Sequence, residues 1–470
     1  MMIKTDLEFE ITKERLNEFQ TAFSELKLSE YYQSLPPVFQ DIQKTAIVSQ
    51  IEELKEQLTE YQAFKNQEVK IDYLEFELAD LPMLLVKSRI SRNLSVDELA
   101  RKSGVRKEKI KELERDNYNT ANLNQIYKIA KELGFKLEDL NRNVLEIKRN
   151  IKSSGIDPKV LKLIDSTRTV EGDSRDVKFL KFLTKLKRIF GMSLDSLMSG
   201  QSEVLSSANL NSVRYKISRN ANGIYTSSYT QVVYYLAEII LRLYNKEQSN
   251  EILTDPRLFR NAVEEKYGEF SYENCLNYIW DLGIPVLPLS DSGAFHGASW
   301  RIKGRNILVL KQKNASKSRW LFDLLHEYWH ATQEPDLQER SIIEEAANSP
   351  SRLENQEEKD ANNFSAEVIL MGKTQSLLNE CVTKAHNEIA YMKSSVMEVA
   401  ERNKVDVGAL ANIMAHELSK EGYNWWGAAN NLQNKSEDPC QIAKEIFKER
   451  ITISNELENI DKELLLEFIN

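Results

Sequence analysis

Apolar side chains recur three and four positions apart through most of the chain, and each such run predicts an amphipathic helix. In IEELKEQLTEYQ the stripe is Ile51, Leu54, Leu58 and Tyr61. It is short for a coiled coil, so it reads either as a helix packed on its own domain or as a dimer contact. VKFLKFLTKLKRIFGMSLDSLMSG repeats the period with lysines on the opposite side, which predicts a core-facing helix with snorkelling lysines. Ala361, Phe364, Val368 and Met371 mark another helix. The period changes in one place. GIPVLPL (283–289), GASWRI (297–302) and NILVLK (306–311) are short β-rich runs, and Lys303-Gly304 fits a tight turn between the last two. Glycine and proline are sparse. The fold class expected is mainly α with a small β-sheet, α+β.

Residues 81–142 carry a pattern of their own. Ser95 and Glu98 form a capping box at a helix start. Leu99 and Ala100 face inward, Gly104 breaks the helix, and Val105 plugs the turn. A second helix starts near Arg106 with Ile110 and Leu113 on its apolar side. Helix, glycine turn, helix is the helix-turn-helix layout. If this module reads double-stranded DNA, the helix from Arg106 enters the major groove. Lys107, Glu108, Lys111 and Glu112 are then its outward positions.

LLHEYWHATQ (324–333) holds the densest chemistry. His326 and His330 are four apart, so on a helix their imidazoles share one face, with Glu327 beside them. Two neutral nitrogen ligands and a proton-accepting carboxylate are what a catalytic Zn2+ requires. The run WLFDLL before them buries the helix. A third ligand is sought in ENQEEKDANNFSAEVILM (354–371), where Glu358 is the first choice and Glu357 and Asp360 compete. Asn362, one turn after Glu358, is placed to orient a ligand by hydrogen bonding. The chain has only five histidines, and the other three are His296, His386 and His416. His416 is a candidate transition-state donor; His296 and His386 read more simply as structural.

Composition narrows the partners. Acidic residues outnumber basic ones, giving a net charge of −9, so nucleic-acid binding must come from a local patch. The three cysteines, Cys275, Cys381 and Cys440, are scattered and odd in number, and read as buried thiols in a reducing compartment. No apolar run is long enough to span a membrane, and the N-terminus lacks a signal-peptide core. A cytoplasmic protein is expected, with no membrane partner.

Two resemblances add to this. L-S-x-x-E-L-A, S-G-V and I-x-x-L-E, followed by Leu123, Ile126 and Ile129, resemble the Xre/Cro family of DNA-binding domains. Val96 departs from it, standing where many members place a phosphate-contacting glutamine. Glu108 and Glu112 depart as well, bringing charge that phosphates repel. GIPVLPL through RWLFDLLHEYWHA to EKDANNFSAEVILM, and more weakly on to residue 430, resembles the ImmA/IrrE family of zinc metallo-endopeptidases. Tyr328 and Trp329 replace that family's usual small residues, and Trp329 is expected to narrow the cleft. The resemblance implies a gluzincin-like Zn2+ site of His326, His330 and Glu358 with Glu327 as general base. It also implies cleavage of a transcriptional repressor or antitoxin.

The resulting organisation is a helical region at 1–80, suited to homodimer formation, and the helix-turn-helix at 81–142. A helical connector at 143–245 leads to a zincin-like peptidase at 246–430 and a helical tail at 431–470. The Ser/Asn-rich stretch 199–212 reads as a linker. The rival reading is a DNA-binding regulator, antitoxin-like, in which the peptidase region is structural or sensory.

Overall fold

A computed structural model describes residues 2–72, 76–135, 140–165, 174–192, 196–197, 221–249, 252–291, 295, 297–312, 314–344, 356–434, 437–452, 457 and 459–469. The linker stretch 199–212 and His296 lie outside them. In chain order the helices are α1 (Asp6–Leu28), α2 (Glu30–Ser34), α3 (Pro37–Lys65), α4 (Leu81–Ser91), α5 (Val96–Ser103), α6 (Lys107–Arg115) and α7 (Leu123–Glu132). They continue with α8 (Leu140–Ser153), α9 (Pro158–Ile164), α10 (Arg175–Phe190), α11 (Ala221–Leu243), α12 (Pro256–Tyr267) and α13 (Tyr272–Asp281). Strands β1 (Val286–Pro288), β2 (Gly297–Ile302) and β3 (Arg305–Leu310) precede α14 (Lys317–Thr332), and β4 (Arg340–Glu344) follows it. The rest is α15 (Gln356–Ile369), α16 (Thr374–Lys384), α17 (Ile389–Asn403), α18 (Val407–Lys420), α19 (Trp426–Asn430), α20 (Pro439–Arg450) and α21 (Asn459–Ile469). The chain is therefore mainly helical with one small mixed sheet.

It divides into two compact units, residues 1–151 with 165–202, and residues 152–164 with 203–470. The division falls inside the stretch read as a connector.

In the first unit, the stripe on α3 packs within its own chain. Ile51, Leu58 and Tyr61 are buried, and Tyr61 stacks on Phe9 of α1 at 5.5 Å. The capping box forms as read: Ser95 accepts from the Glu98 backbone N–H, and Glu98 accepts from that of Ser95. Gly104 ends α5 at φ 67°, a left-handed conformation that glycine adopts without Cβ strain. Leu99, Ile110, Leu113, Ile126 and Ile129 form the core, while Ala100 is half-buried at the rim. Two tethers fix α6. Arg89 of α4 donates to the Glu114 carboxylate through Nε and through Nη2, the latter at 2.7 Å, with both residues buried. Lys4 Nζ donates to the carbonyls of Glu114 and Arg115, a cation at the negative end of the helix. Helix α10 buries Val177, Leu180, Leu183, Leu186 and Ile189, as a core-facing helix should.

In the second unit the strand order is β1-β3-β2-β4. β1 pairs parallel with β3, and β2 pairs antiparallel with both β3 and β4. Lys303 (φ 50°) and Gly304 (φ 78°) make the two-residue hairpin turn expected between β2 and β3. One face of the sheet carries α14. The other carries α11, where Tyr234 meets Trp300 edge-on at 5.4 Å. Strand β4 leaves little signal in the sequence because, among the described strands, it sits at the sheet edge, with residues 340–343 half-buried and without the alternation a one-sided strand shows. The three cysteines are buried free thiols. Among the described residues, no helix is long and apolar enough to cross a membrane.

Candidate functional site

Helix α14 starts at the Ser316 N-cap, whose hydroxyl accepts from the Arg319 backbone N–H, and arginines of the sheet hold its C-terminal end. Arg301 of β2 donates to the carbonyls of Ala331 (2.7 Å), Gln333 (3.0 Å) and Glu334. Arg340 of β4 donates to the carbonyl of His330 at 3.0 Å. These cations satisfy the last carbonyls of α14 and favour its dipole. On the inward face, Tyr328 is fully buried against Phe259 and Phe364, and its hydroxyl donates to the Leu253 carbonyl at 3.0 Å. Phe364 belongs to α15, so this contact docks α15 along α14.

There the sequence-predicted ligands meet. His326 Nε2 and His330 Nε2 lie 3.0 Å apart. Glu358 Oε2 is 3.4 Å from the first, and Glu358 Oε1 is 3.5 Å from the second. All three donor atoms fall within 4.8 Å of one another. A tetrahedral Zn2+ with ligands at about 2.0–2.2 Å would separate them by roughly 3.3 Å. Donor chemistry and spacing both fit that ion. His326 is 2% exposed and His330 is fully buried, and burial lowers the pKa of His330, favouring the neutral form a metal ligand needs.

Of the competing carboxylates, Glu357 takes a different part from Glu358. Its Oε1 accepts from His330 Nδ1 at 2.9 Å and from Arg340 Nη2 at 2.5 Å. The His330 hydrogen bond and the Arg340 charge outweigh burial and hold its carboxyl at about 2. An ionised Glu357 accepts a hydrogen bond from Nδ1–H, which leaves the Nε2 lone pair facing Glu358 and His326. Asp360 is exposed and accepts from Gln356 instead. Asn362 is half-buried, and among the described residues no hydrogen bond joins it to a ligand, so the orienting role falls to Glu357.

Glu327 is completely buried. Its carboxylate lies against β2 at Gly297, where a Cβ would sit 2.2 Å from Oε1. An isolated glycine in a strand signals close approach of this kind. Trp329 is half-buried and packs edge-on against His330 at 5.6 Å, bracing that imidazole. Phe322 does the same for His326, stacked at 6.4 Å. His416 is half-buried on α18 and His386 is exposed in the turn after α16; neither belongs to the three-ligand cluster. Arg340, Arg301 and Gly297 were not read as site residues. Only Gly297 left a signal in the sequence.

In the first unit, α6 exposes Glu108, Lys111 and Glu112 as expected for an outward face. Lys107 is half-buried, and its ammonium sits 2.7 Å from the Asp97 carboxylate. Lys109, which was not singled out, pairs with Glu112 at 3.0 Å.

A family model described as the Cro/C1-type HTH DNA-binding domain matches residues 85–144. The chain thus carries a helix-turn-helix DNA-binding domain of that type, with α6 as its second, recognition helix. No curated protein and no solved structure matches the chain.

Proposed function

We propose that this chain is a DNA-binding regulator with its own zinc-dependent peptidase centre. The observation that carries the peptidase half is the convergence of His326, His330 and Glu358, with Glu357 orienting one imidazole and Glu327 buried beside them. Those three ligands would hold the ion, which when bound supplies a Lewis acid and an acidified water. Glu327 would accept a proton at its carboxylate and return it to the departing amine. Complete burial against β2 at Gly297 keeps bulk water from Glu327. Among the described residues, strand β4 is paired on one side only, to β2, and an extended peptide is suited to the other. The resemblance to ImmA/IrrE peptidases supports a protein substrate, a repressor or antitoxin. A DNA-bound target would be presented by the helix-turn-helix domain, and a homodimer would suit two half-sites.

The second reading keeps the DNA-binding domain and makes the His-rich helix a structural or sensory element. It is favoured by the family match, which falls on residues 85–144 alone.

Metal content of the purified protein separates the two. About one zinc per chain is expected in the wild type and in Glu327→Gln, and none in His326→Ala or Glu358→Ala. Cleavage of a repressor by the wild type and not by Glu327→Gln would support the peptidase. A wild type that takes up no zinc when supplied with it leaves the regulator reading.

A further inference from the structure

We propose that Arg340 is a positioning residue of the metal centre: it clamps Glu357 against His330 and so selects the imidazole nitrogen that faces the ion. This deepens the zinc reading above and rests on it.

Arg340 lies on β4, and its side chain is 9% exposed. Its guanidinium divides between three acceptors. Nη2 donates to Glu357 Oε1 at 2.5 Å, Nη1 to the His330 carbonyl at 3.0 Å, and Nε to Glu334 Oε2 at 2.9 Å. Two of the three lead to the same histidine, one through its backbone and one through the carboxylate that accepts the hydrogen bond from its Nδ1–H. A planar guanidinium fixes both directions at once, which a lysine ammonium cannot do. A neutral imidazole carries a single N–H. Donated from Nδ1 to Glu357, it leaves Nε2 as a lone pair beside Glu358 and His326. Turned to Nε2 instead, the same proton would occupy the position of the ion. Arg340 therefore acts on the ligand's tautomer and angle, and does not touch the reacting atoms.

The test is the zinc dissociation constant of the full-length chain by chelator competition, with Zn2+ as the only ligand. Arg340→Gln should weaken binding roughly 10- to 100-fold. Arg340→Lys, which keeps the charge and loses the fork, should fall between Gln and wild type. If the arginine works through Glu357, Arg340→Gln/Glu357→Gln should bind no more weakly than Glu357→Gln alone. Wild-type affinity in a folded Arg340→Gln, or losses that simply add, would overturn the proposal. Should Arg340→Gln fail to fold, Arg340→Lys decides, and wild-type affinity there overturns it too. His326→Ala separates this from failure of the zinc reading. Zinc lost in His326→Ala but kept in the Arg340 variants sinks only the role of Arg340. Equal, negligible binding in wild type and His326→Ala sinks both.

Discussion

Gly297 and the Glu327 carboxylate occupy positions that no other residue type at 297 would allow, since a Cβ there would stand 2.2 Å from Oε1 and 3.0 Å from Cδ. Gly297→Ala should therefore displace the Glu327 carboxylate, the proton acceptor of the proposed peptidase, while leaving the two histidines and Glu358 in place. Zinc content should stay near that of the wild type. Turnover of a cleavable peptide should drop roughly 100-fold, the scale for a catalytic group moved by about an ångström. A Gly297→Ala variant with full turnover would show that Glu327 acts from elsewhere.

Arg89 and Glu114 are a buried, two-pronged ion pair joining α4 to the recognition helix α6. Removing one partner strands the other's charge in the core. Arg89→Met should cost about 3–5 kcal/mol of stability in the first unit, and Arg89→Met/Glu114→Leu should recover part of it. Recovery should be incomplete because Arg89 also serves the carbonyls of Leu94 and Lys4. Calorimetry of the three proteins measures this; equal transitions would refute it.

Asp97 of α5 pairs with Lys107 at the start of α6, 2.7 Å from its ammonium. Asp97→Asn should release that ammonium and remove a nearby negative charge. Binding to duplex DNA should tighten, with a salt slope steeper by about one; Lys111→Ala should weaken it, with a slope shallower by about one. Fluorescence anisotropy at several salt concentrations gives both slopes. Unchanged slopes would remove these lysines from the interface.

Asp281 sets an acid limit on the second unit. Burial opposes its charge, but hydrogen bonds from Lys266, Tyr267 and Arg450 prevail and hold its carboxyl well below the usual range. A carboxyl with a depressed folded pKa contributes stability above its unfolded value, about 3.9, and loses it as pH falls toward the folded one. Unfolding midpoints of wild type and Asp281→Asn should differ at pH 7 and converge below about pH 4. A constant difference down to pH 2.5 would exclude the linkage.

The sequence determined what lies within a few residues along the chain. The capping box at Ser95, the glycine stop at Gly104 and the shared face of His326 and His330 follow from caps and from the 3.6-residue helical period, which no tertiary contact alters. The Lys303-Gly304 hairpin was legible for the same reason. Glu358 could be reached as a candidate ligand, but the different part taken by Glu357 could not. Neighbours on a helix point about 100° apart, and which one meets the histidines depends on how α15 packs on α14. The His330–Glu357 contact joins residues 27 apart, and the Arg301 caps on α14 span 30 or more. Such pairings are set by the packing of sheet on helix, where each partner looks like an ordinary surface charge in sequence. Strand β4, the fit of Gly297 to Glu327 and the clamp of Arg340 exist only once the sheet has brought them to the C-terminal half of one helix.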